Sequence, residues 1–228
     1  MDSLAVTAQG ITLEGSEGLV YGPLDFQIPA TGLVVLSGRG GSGRTALALT
    51  LSGRMKPSGG KLTVLGETKP TKIRPKVAIA GVEAIDQLDR DVRVKTVLNE
   101  HRAWSSLWII WRPQVDQTYY ENLCQPVFGD RRLPPLSAYI SEIPALDRIL
   151  LRIALALHPA HGRPIEMLVM DDLEQVHEDS DRQQLIDTLS RLATTMPVVV
   201  NAVNPLPDFP HIALRTDASY THAVKEQQ

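Results

Sequence analysis

Cysteine is almost absent from this sequence: Cys124 stands alone among 228 residues. One thiol closes no internal disulfide and builds no multi-thiolate metal centre, which suits a reducing compartment and sets the expectation of a cytosolic chain. No excess of positive charge is present either, since 23 Lys and Arg face 26 Asp and Glu for a net charge of −3. A global field able to hold nucleic acid is thereby excluded, and no nucleic-acid partner is expected. No apolar run approaches the ~18 residues that cross a bilayer, and residues 1–10 (MDSLAVTAQG) lack a positive segment followed by an apolar one. A role at a membrane therefore needs another chain as the anchor. The six histidines show no His-Glu-x-x-His spacing, and no serine stands in a Gly-x-Ser-x-Gly elbow, so metalloenzyme and serine-hydrolase chemistry is set aside. With 43% apolar and 21% charged side chains, a folded chain of one domain is expected.

What is present is an alternation of short apolar runs and helical patterns. Leu33–Leu36, Leu62–Leu65, Val77–Ala80, Met167–Met170 and Val198–Val200 read as strands, and the last two are continuous rather than alternating. Continuous apolar runs belong to strands covered on both faces, which predicts a buried, mainly parallel sheet. Helices are expected at Arg44–Ser52, Leu146–Leu157 and roughly Ser180–Ala193. In the second, Leu146, Ile149, Leu150, Ile153, Ala154 and Leu157 form one apolar stripe, with Arg148 and Arg152 off it. Strands alternating with helices define an α/β fold with right-handed crossovers. From about Ile85 to Pro159 the pattern changes: no buried-strand run occurs, and all three tryptophans fall there with Pro113, Pro126, Pro134, Pro135 and Pro144. This stretch is expected to form a helical subdomain, 85–159, inserted in a core made of 1–84 and 160–228.

The most informative segment runs from a strand through Gly38-x4-Gly43-Arg44-Thr45 into a helix. This is the phosphate-loop spacing, with Arg44 where lysine is usual. Glycines at 38, 40, 41 and 43 let the backbone wrap closely round a phosphate, so that amides at Gly38, Arg39, Gly40, Gly41, Ser42, Gly43 and Arg44 can face it. The helix that follows adds the positive end of its dipole. Thr45 offers a hydroxyl to Mg2+. A guanidinium at position 44 keeps its charge and binds phosphate, but it is forked and bulkier than a compact ammonium. Binding is expected to survive this exchange better than catalysis.

The run from Leu33 to Gly66, LVVLSGRGGSGRTALALTLSGRMKPSGGKLTVLG, resembles the nucleotide-binding domains of ATP-binding cassette (ABC) transporters. The likeness includes the helix ending at a glycine and the Lys56-Pro57-Ser58-Gly59-Gly60 turn, which phosphate-loop proteins at large do not share. Val20–Pro29 is similar to the strand that precedes the loop in that family, and Ile149–Asp172 to its helix, proline and Walker B strand. The resemblance implies a P-loop fold of the ABC ATPase type, with a parallel sheet flanked by helices, an N-terminal antiparallel β part and a helical insert. It further implies ATP and Mg2+ as cofactors, Asp171 as the Walker B carboxylate, and a pair of such domains, alike or unlike, working with a membrane-spanning subunit. The chain would then sit peripherally at the inner face of the plasma membrane.

Several family positions are occupied differently. Asp172 stands where the family has its glutamate general base and is one methylene shorter, and a displacement of ~1 Å costs on the order of a hundredfold in rate. Ile143-Pro144-Ala145-Leu146-Asp147 stands where a serine-glycine-glycine signature is expected, and Pro144 has no N–H to offer a phosphate. Asn201-Ala202-Val203-Asn204 contains no switch histidine. Glu83 falls at the glutamine position near Mg2+, and Tyr21 is a candidate to stack on adenine, although its register suggests core. Weak or absent hydrolysis is the resulting expectation, with a non-catalytic adaptor or regulatory protein docked on a membrane partner as the alternative.

Trp104, Trp108 and Trp111, with Leu107, would share one helical face, either docking a membrane partner or packing within the lobe. Arg54, Lys56, Lys61, Lys69, Lys72, Arg74 and Lys76 face only Glu67 between positions 54 and 76. That face is either solvated or attracted to anionic lipid headgroups. A soluble phosphotransferase using Arg131 and Arg132 is a third reading, and a GTPase is disfavoured because no Asn-Lys-x-Asp motif follows the late strands.

Overall fold

A computed structural model of the chain describes residues 3–104, 114–159 and 164–213. Two antiparallel strands open it, β1 (Leu4–Gly15) and β2 (Gly18–Pro29), followed by β3 (Gly32–Ser37) and helix α1 (Arg44–Leu51). Then come β4 (Gly59–Val64), a short α2 (Pro70–Ile73), β5 (Val77–Ala80), a short α3 (Glu83–Asp86), α4 (Val94–Trp104) and α5 (Gln117–Phe128). The last part comprises α6 (Ala145–Leu157), β6 (Met167–Met170), α7 (Asp179–Leu192), β7 (Pro197–Ala202) and β8 (His211–Ala213).

The strands form two sheets. β5, β6, β7, β3 and β8 lie in that order in a five-stranded sheet whose neighbours all run parallel. β2, β1 and β4 form a separate antiparallel sheet. The Leu62–Leu65 run therefore belongs to the antiparallel sheet and not to the buried parallel one, with its strand starting earlier, at Gly59. The expected N-terminal antiparallel β part is present as β1 and β2, although no apolar run marked β1, or the edge strand β8, individually.

The continuous apolar runs have a direct explanation in packing. Leu33, Val35, Ala78, Ala80, Leu168, Met170, Val198 and Val200 face the helical side, where they meet residues of α4, α5, α6 and α7. Their neighbours Val34, Leu36, Val77, Ile79, Met167, Val169 and Val199 face α1 and the antiparallel sheet. Both faces are dry, so neither register position can be polar. On the second side Tyr21 is 1% exposed and its hydroxyl donates to Thr50 Oγ1 at 2.8 Å. Burial raises the pKa of this phenol, and Tyr21 is a core residue that is not placed to stack on a base.

α6 is wrapped more completely than its stripe suggests. Leu151 and Arg152 are buried along with Leu146, Ile149, Leu150, Ile153 and Ala154, because α6 lies between β5, α5 and α7. α5 is capped by Asp116, whose carboxylate accepts from Tyr119 N at 2.8 Å. It carries Cys124 into the core at 0% exposure, and burial pushes the thiol up to about 12. Because the thiolate is the reactive form, an alkylating reagent at neutral pH is expected to modify the native chain at least about a thousandfold more slowly than the unfolded one, tracking an opening of ~4 kcal/mol. Mass-spectrometric labelling with and without denaturant measures this ratio.

Trp104 ends α4 at 80% exposure, whereas Trp108, Trp111 and Leu107 lie outside the described residues. In the basic stretch, Lys56, Lys61, Lys69, Lys72 and Arg74 are exposed. Arg54 instead turns inward to donate to the carbonyls of Ser52 and Val77, and Lys76 lies 3.8 Å from Glu67 and 3.7 Å from Glu166. No helix among the described residues is long and apolar enough to cross a membrane.

Candidate nucleotide site

β3 carries the chain to Ser37, in the middle of the parallel sheet, and releases it into the glycine loop. Gly38 N still donates to Ala202 O at 3.2 Å, which ties the loop's entry to the end of β7. Ser42 N closes a turn on Arg39 O at 3.1 Å, and α1 begins at Arg44. Gly43 is required at its position: its φ is +81°, and a Cβ there would lie 2.6 Å from the backbone oxygen of Val20. Gly40 and Gly41 have the opposite surroundings, with nothing within 4 Å of an added Cβ, so the loop keeps one side open. The first turn of α1 holds no acidic residue of its own to offset the positive dipole end. Ser42 Oγ is buried and makes no hydrogen bond. An open glycine loop, a helix start without acidic residues of its own and an orphaned hydroxyl fit an anion such as phosphate.

The acidic side of the site comes from β6. Asp171 follows its last residue, is 6% exposed, and accepts Thr45 Oγ1 on Oδ2 at 2.8 Å. Its Oδ1 accepts from Asn201 Nδ2, so each carboxylate oxygen is held and aimed. Thr45 and Asp171 thus stand side by side, as a hydroxyl and a carboxylate sharing an octahedral Mg2+ shell would. Glu83 is not brought to this pair by any hydrogen bond: its carboxylate is exposed on α3 and accepts from Gln87 at 3.3 Å. Among the described residues no group of three or more His, Cys, Asp and Glu could hold a metal ion. The residues present fit Mg2+ only with water and phosphate oxygens filling the remaining positions.

Asp172 adopts φ +57°, ψ +78° at the start of the 3-10 turn Leu173–Gln175. Its pKa is raised, chiefly by burial, then by the neighbouring carboxylate of Glu174 and the charge of Asp171, while Arg44 pulls it down. Arg44 Nη1 lies 3.7 Å from Glu174 Oε2, and Glu174 Oε1 accepts from Val203 N at 2.7 Å. A cavity of about 530 Å3 opens beside these acids, lined among others by Glu83, Gln87, Arg148, Asp172, Glu174 and His177.

At the start of α6, Pro144 is the N-cap residue and no side chain caps the helix. Asp147, 6% exposed, sits in the first turn and pairs with Arg131. The positive end of this helix is thus partnered by a carboxylate of its own chain. Arg131 is committed to Asp147 and Gln184, which weakens its candidacy as a phosphotransferase arginine.

The contacts of four side chains around the site are not apparent in the sequence: Asn201, Glu174, Arg152 and Asp86. Arg152, taken from its spacing as a residue off the buried stripe, is 9% exposed and grips both carboxylate oxygens of Asp86 while donating to Gln175 Oε1 at 2.8 Å. Asp86 in turn accepts from Gly81 N at 2.8 Å, and Gln175 donates to Gly81 O at 2.7 Å. No local signal marks such pairs, because the partners are far apart in the chain.

A parallel sheet with a glycine loop after one strand and a carboxylate after another, joined through Thr45, defines a P-loop nucleotide-binding fold. The family model described as "ABC transporter" matches residues 21–191, and the chain belongs to that family. Among solved structures, a putative ABC transporter ATP-binding protein from Pyrococcus furiosus is similar at a TM-score of 0.68 and 19% identity, covering 92% of this chain and 96% of that one. CbiO1 from Clostridium perfringens, part of the ABC transporter complex cbiONQ, is similar at a TM-score of 0.68 and 12% identity, covering 89% of this chain and 80% of that one. Among curated relatives, the cytochrome c biogenesis ATP-binding export protein CcmA of Agrobacterium fabrum is 29% identical over 32% of this chain and 34% of its own length. A Nod factor export ATP-binding protein I from a Rhizobium species is 32% identical over 42% of this chain. The chain matches about a third of the length of these curated relatives.

Proposed function

We propose that this chain is the ATP-binding subunit of an ABC-type membrane transport complex, binding Mg-ATP with weak or absent hydrolysis. The observation that carries the reading is the Thr45–Asp171 contact beneath a glycine loop open on one side. In this reading the amides of Gly38 to Arg44 and the Ser42 hydroxyl receive the phosphates. Arg44 supplies the cation, and Thr45 and Asp171 supply two oxygens to Mg2+, with Glu83 a more distant candidate. Bound nucleotide supplies the energy of closure between two such domains, alike or unlike, and the helical subdomain 85–159 passes that closure to a membrane-spanning partner. The chain would work peripherally at the cytoplasmic face through that partner.

Slow turnover follows from the residues around the site. Asp172, at the general-base position, is both short and held in a left-handed backbone conformation. Asn201 is occupied in orienting Asp171, and the start of α6 carries Pro144 and Asp147 where a neighbouring domain's phosphate would need N–H donors. A ligand-free adaptor is the second reading, favoured by Arg44 already having Glu174 as an ionic neighbour.

Melting scans of the purified chain with and without Mg-ATP separate the two. A nucleotide binder gains ~2.7 kcal/mol at a hundred times Kd, and Asp171→Asn is expected to remove the Mg2+-dependent part of that gain. No shift at millimolar Mg-ATP, alone or with the membrane partner, would leave the adaptor reading standing.

A further inference from the structure

We propose that Glu174 is a specificity-determining residue of the phosphate cradle, occupying Arg44 in place of a terminal phosphate and biasing the site toward nucleoside diphosphates over triphosphates. The inference rests on the nucleotide-binding reading given above and adds to it which phosphate chain the site prefers.

Arg44 and Glu174 face each other across 3.7 Å, too far for a hydrogen bond, with side chains 14% and 34% exposed. Arg44 Nη1 and Glu174 Oε2 are both buried and both lack a hydrogen-bond partner. Buried charged atoms in this condition are uncommon, and they mark a place where a further group is accommodated. A phosphate oxygen is the natural complement of Arg44 Nη1, since guanidinium pairs with phosphate through charge-assisted hydrogen bonds.

Glu174 is not free to leave. Its Oε1 accepts from Val203 N at 2.7 Å, and its backbone belongs to the 3-10 turn that begins two residues after Asp171. The carboxylate is therefore a fixed negative charge beside the cation that, in a phosphate loop, reaches the β- and γ-phosphates. Asp172 also interacts with the charge of Arg44, so the guanidinium has a second acid nearby besides Glu174. A diphosphate can use the loop amides and leave the Arg44–Glu174 pair in place. A triphosphate brings a further charge into the same acidic surroundings and must take Arg44 from Glu174.

The test is titration calorimetry of the full chain with Mg-ADP and with Mg-ATP. Glu174→Gln removes the charge while its amide oxygen can still accept from Val203 N, which preserves the turn. Glu174→Ser provides a second variant with the cation fully released, and Glu178→Gln, at an exposed acid on the neighbouring loop, controls for net charge. Wild type and Glu178→Gln are expected to bind Mg-ADP more tightly than Mg-ATP. Both Glu174 variants should shift the ratio of the two constants toward ATP by about tenfold, with Mg-ADP affinity nearly unchanged. A shift below about threefold in both variants, or an equal shift in Glu178→Gln, overturns the inference while leaving nucleotide binding intact. Absence of binding by either nucleotide in every protein overturns the nucleotide-binding reading itself, and the inference with it.

Discussion

Gly81→Ala is expected to lower the unfolding free energy by about 3 kcal/mol or more and to abolish Mg-nucleotide binding together with it. Gly81 leaves β5 at φ +87°, and a Cβ on it would lie 2.2 Å from the carbonyl oxygen of Asp171 and 3.2 Å from its nitrogen. Both atoms are backbone, so no side-chain rotation relieves the collision. The strands are already joined there, since Asp171 N donates to Ala80 O at 2.8 Å. Something must move, and the residue pressed upon is the one that accepts Thr45 Oγ1. The left-handed backbone alone accounts for ~1–2 kcal/mol. Gly66→Ala isolates that part, because Gly66 has φ +76° and nothing within 4 Å of an added Cβ. Urea unfolding of both variants is the measurement. A Gly81→Ala loss no larger than that of Gly66→Ala would show that the β5–β6 ends yield and that Asp171 is not rigidly seated.

How much of this was legible beforehand depends on the distance over which a residue's role is decided. The phosphate loop was legible because strand, glycines, Arg44 and Thr45 are consecutive, and the backbone conformation they need is local. The parallel strands were legible because helices and the antiparallel sheet dry both faces, which forces an unbroken apolar run such as Leu168-Val169-Met170. β1 was not, since glycine and register shifts interrupt its alternation between Ala8 and Glu14. Leu62 misled for a related reason: its run is apolar enough for the central sheet, yet its hydrogen bonds go to β1.

The site residues divide the same way. Asp171 could be placed because it ends an apolar strand. Asn201 could not, because in sequence it is a polar residue at the end of β7, and its purpose appears only where β6 and β7 lie side by side. Glu174 carries no sequence signal of its own, and only the fold sets it against Arg44. Periodicity placed Arg152 on the polar side of α6. That inference assumes one buried face, whereas α6 is covered by the sheet end on one side and by α5 and α7 on others.

Arg152 carries the second large prediction. Arg152→Met is expected to cost about 3 kcal/mol, because it leaves the Asp86 carboxylate desolvated without its cation. Side-chain exposures of 9% for Arg152 and 17% for Asp86 justify treating the pair as largely buried. The loss extends beyond one ion pair, since the same guanidinium holds Gln175 while Asp86 and Gln175 hold the two polar atoms of Gly81. α6, the loop after β5 and the turn after Asp171 are therefore joined through a single cation. Asp86→Asn in the Arg152→Met background can keep accepting from Gly81 N through its amide oxygen and removes the unpaired charge. The double variant should consequently be more stable than the sum of the single losses predicts, by ~1–3 kcal/mol of coupling. Urea midpoints for the four proteins of this cycle give the coupling directly. Additive losses would mean that Arg152 stabilises α6 by packing its alkyl stem alone, and that the loop after β5 holds its shape without the ion pair.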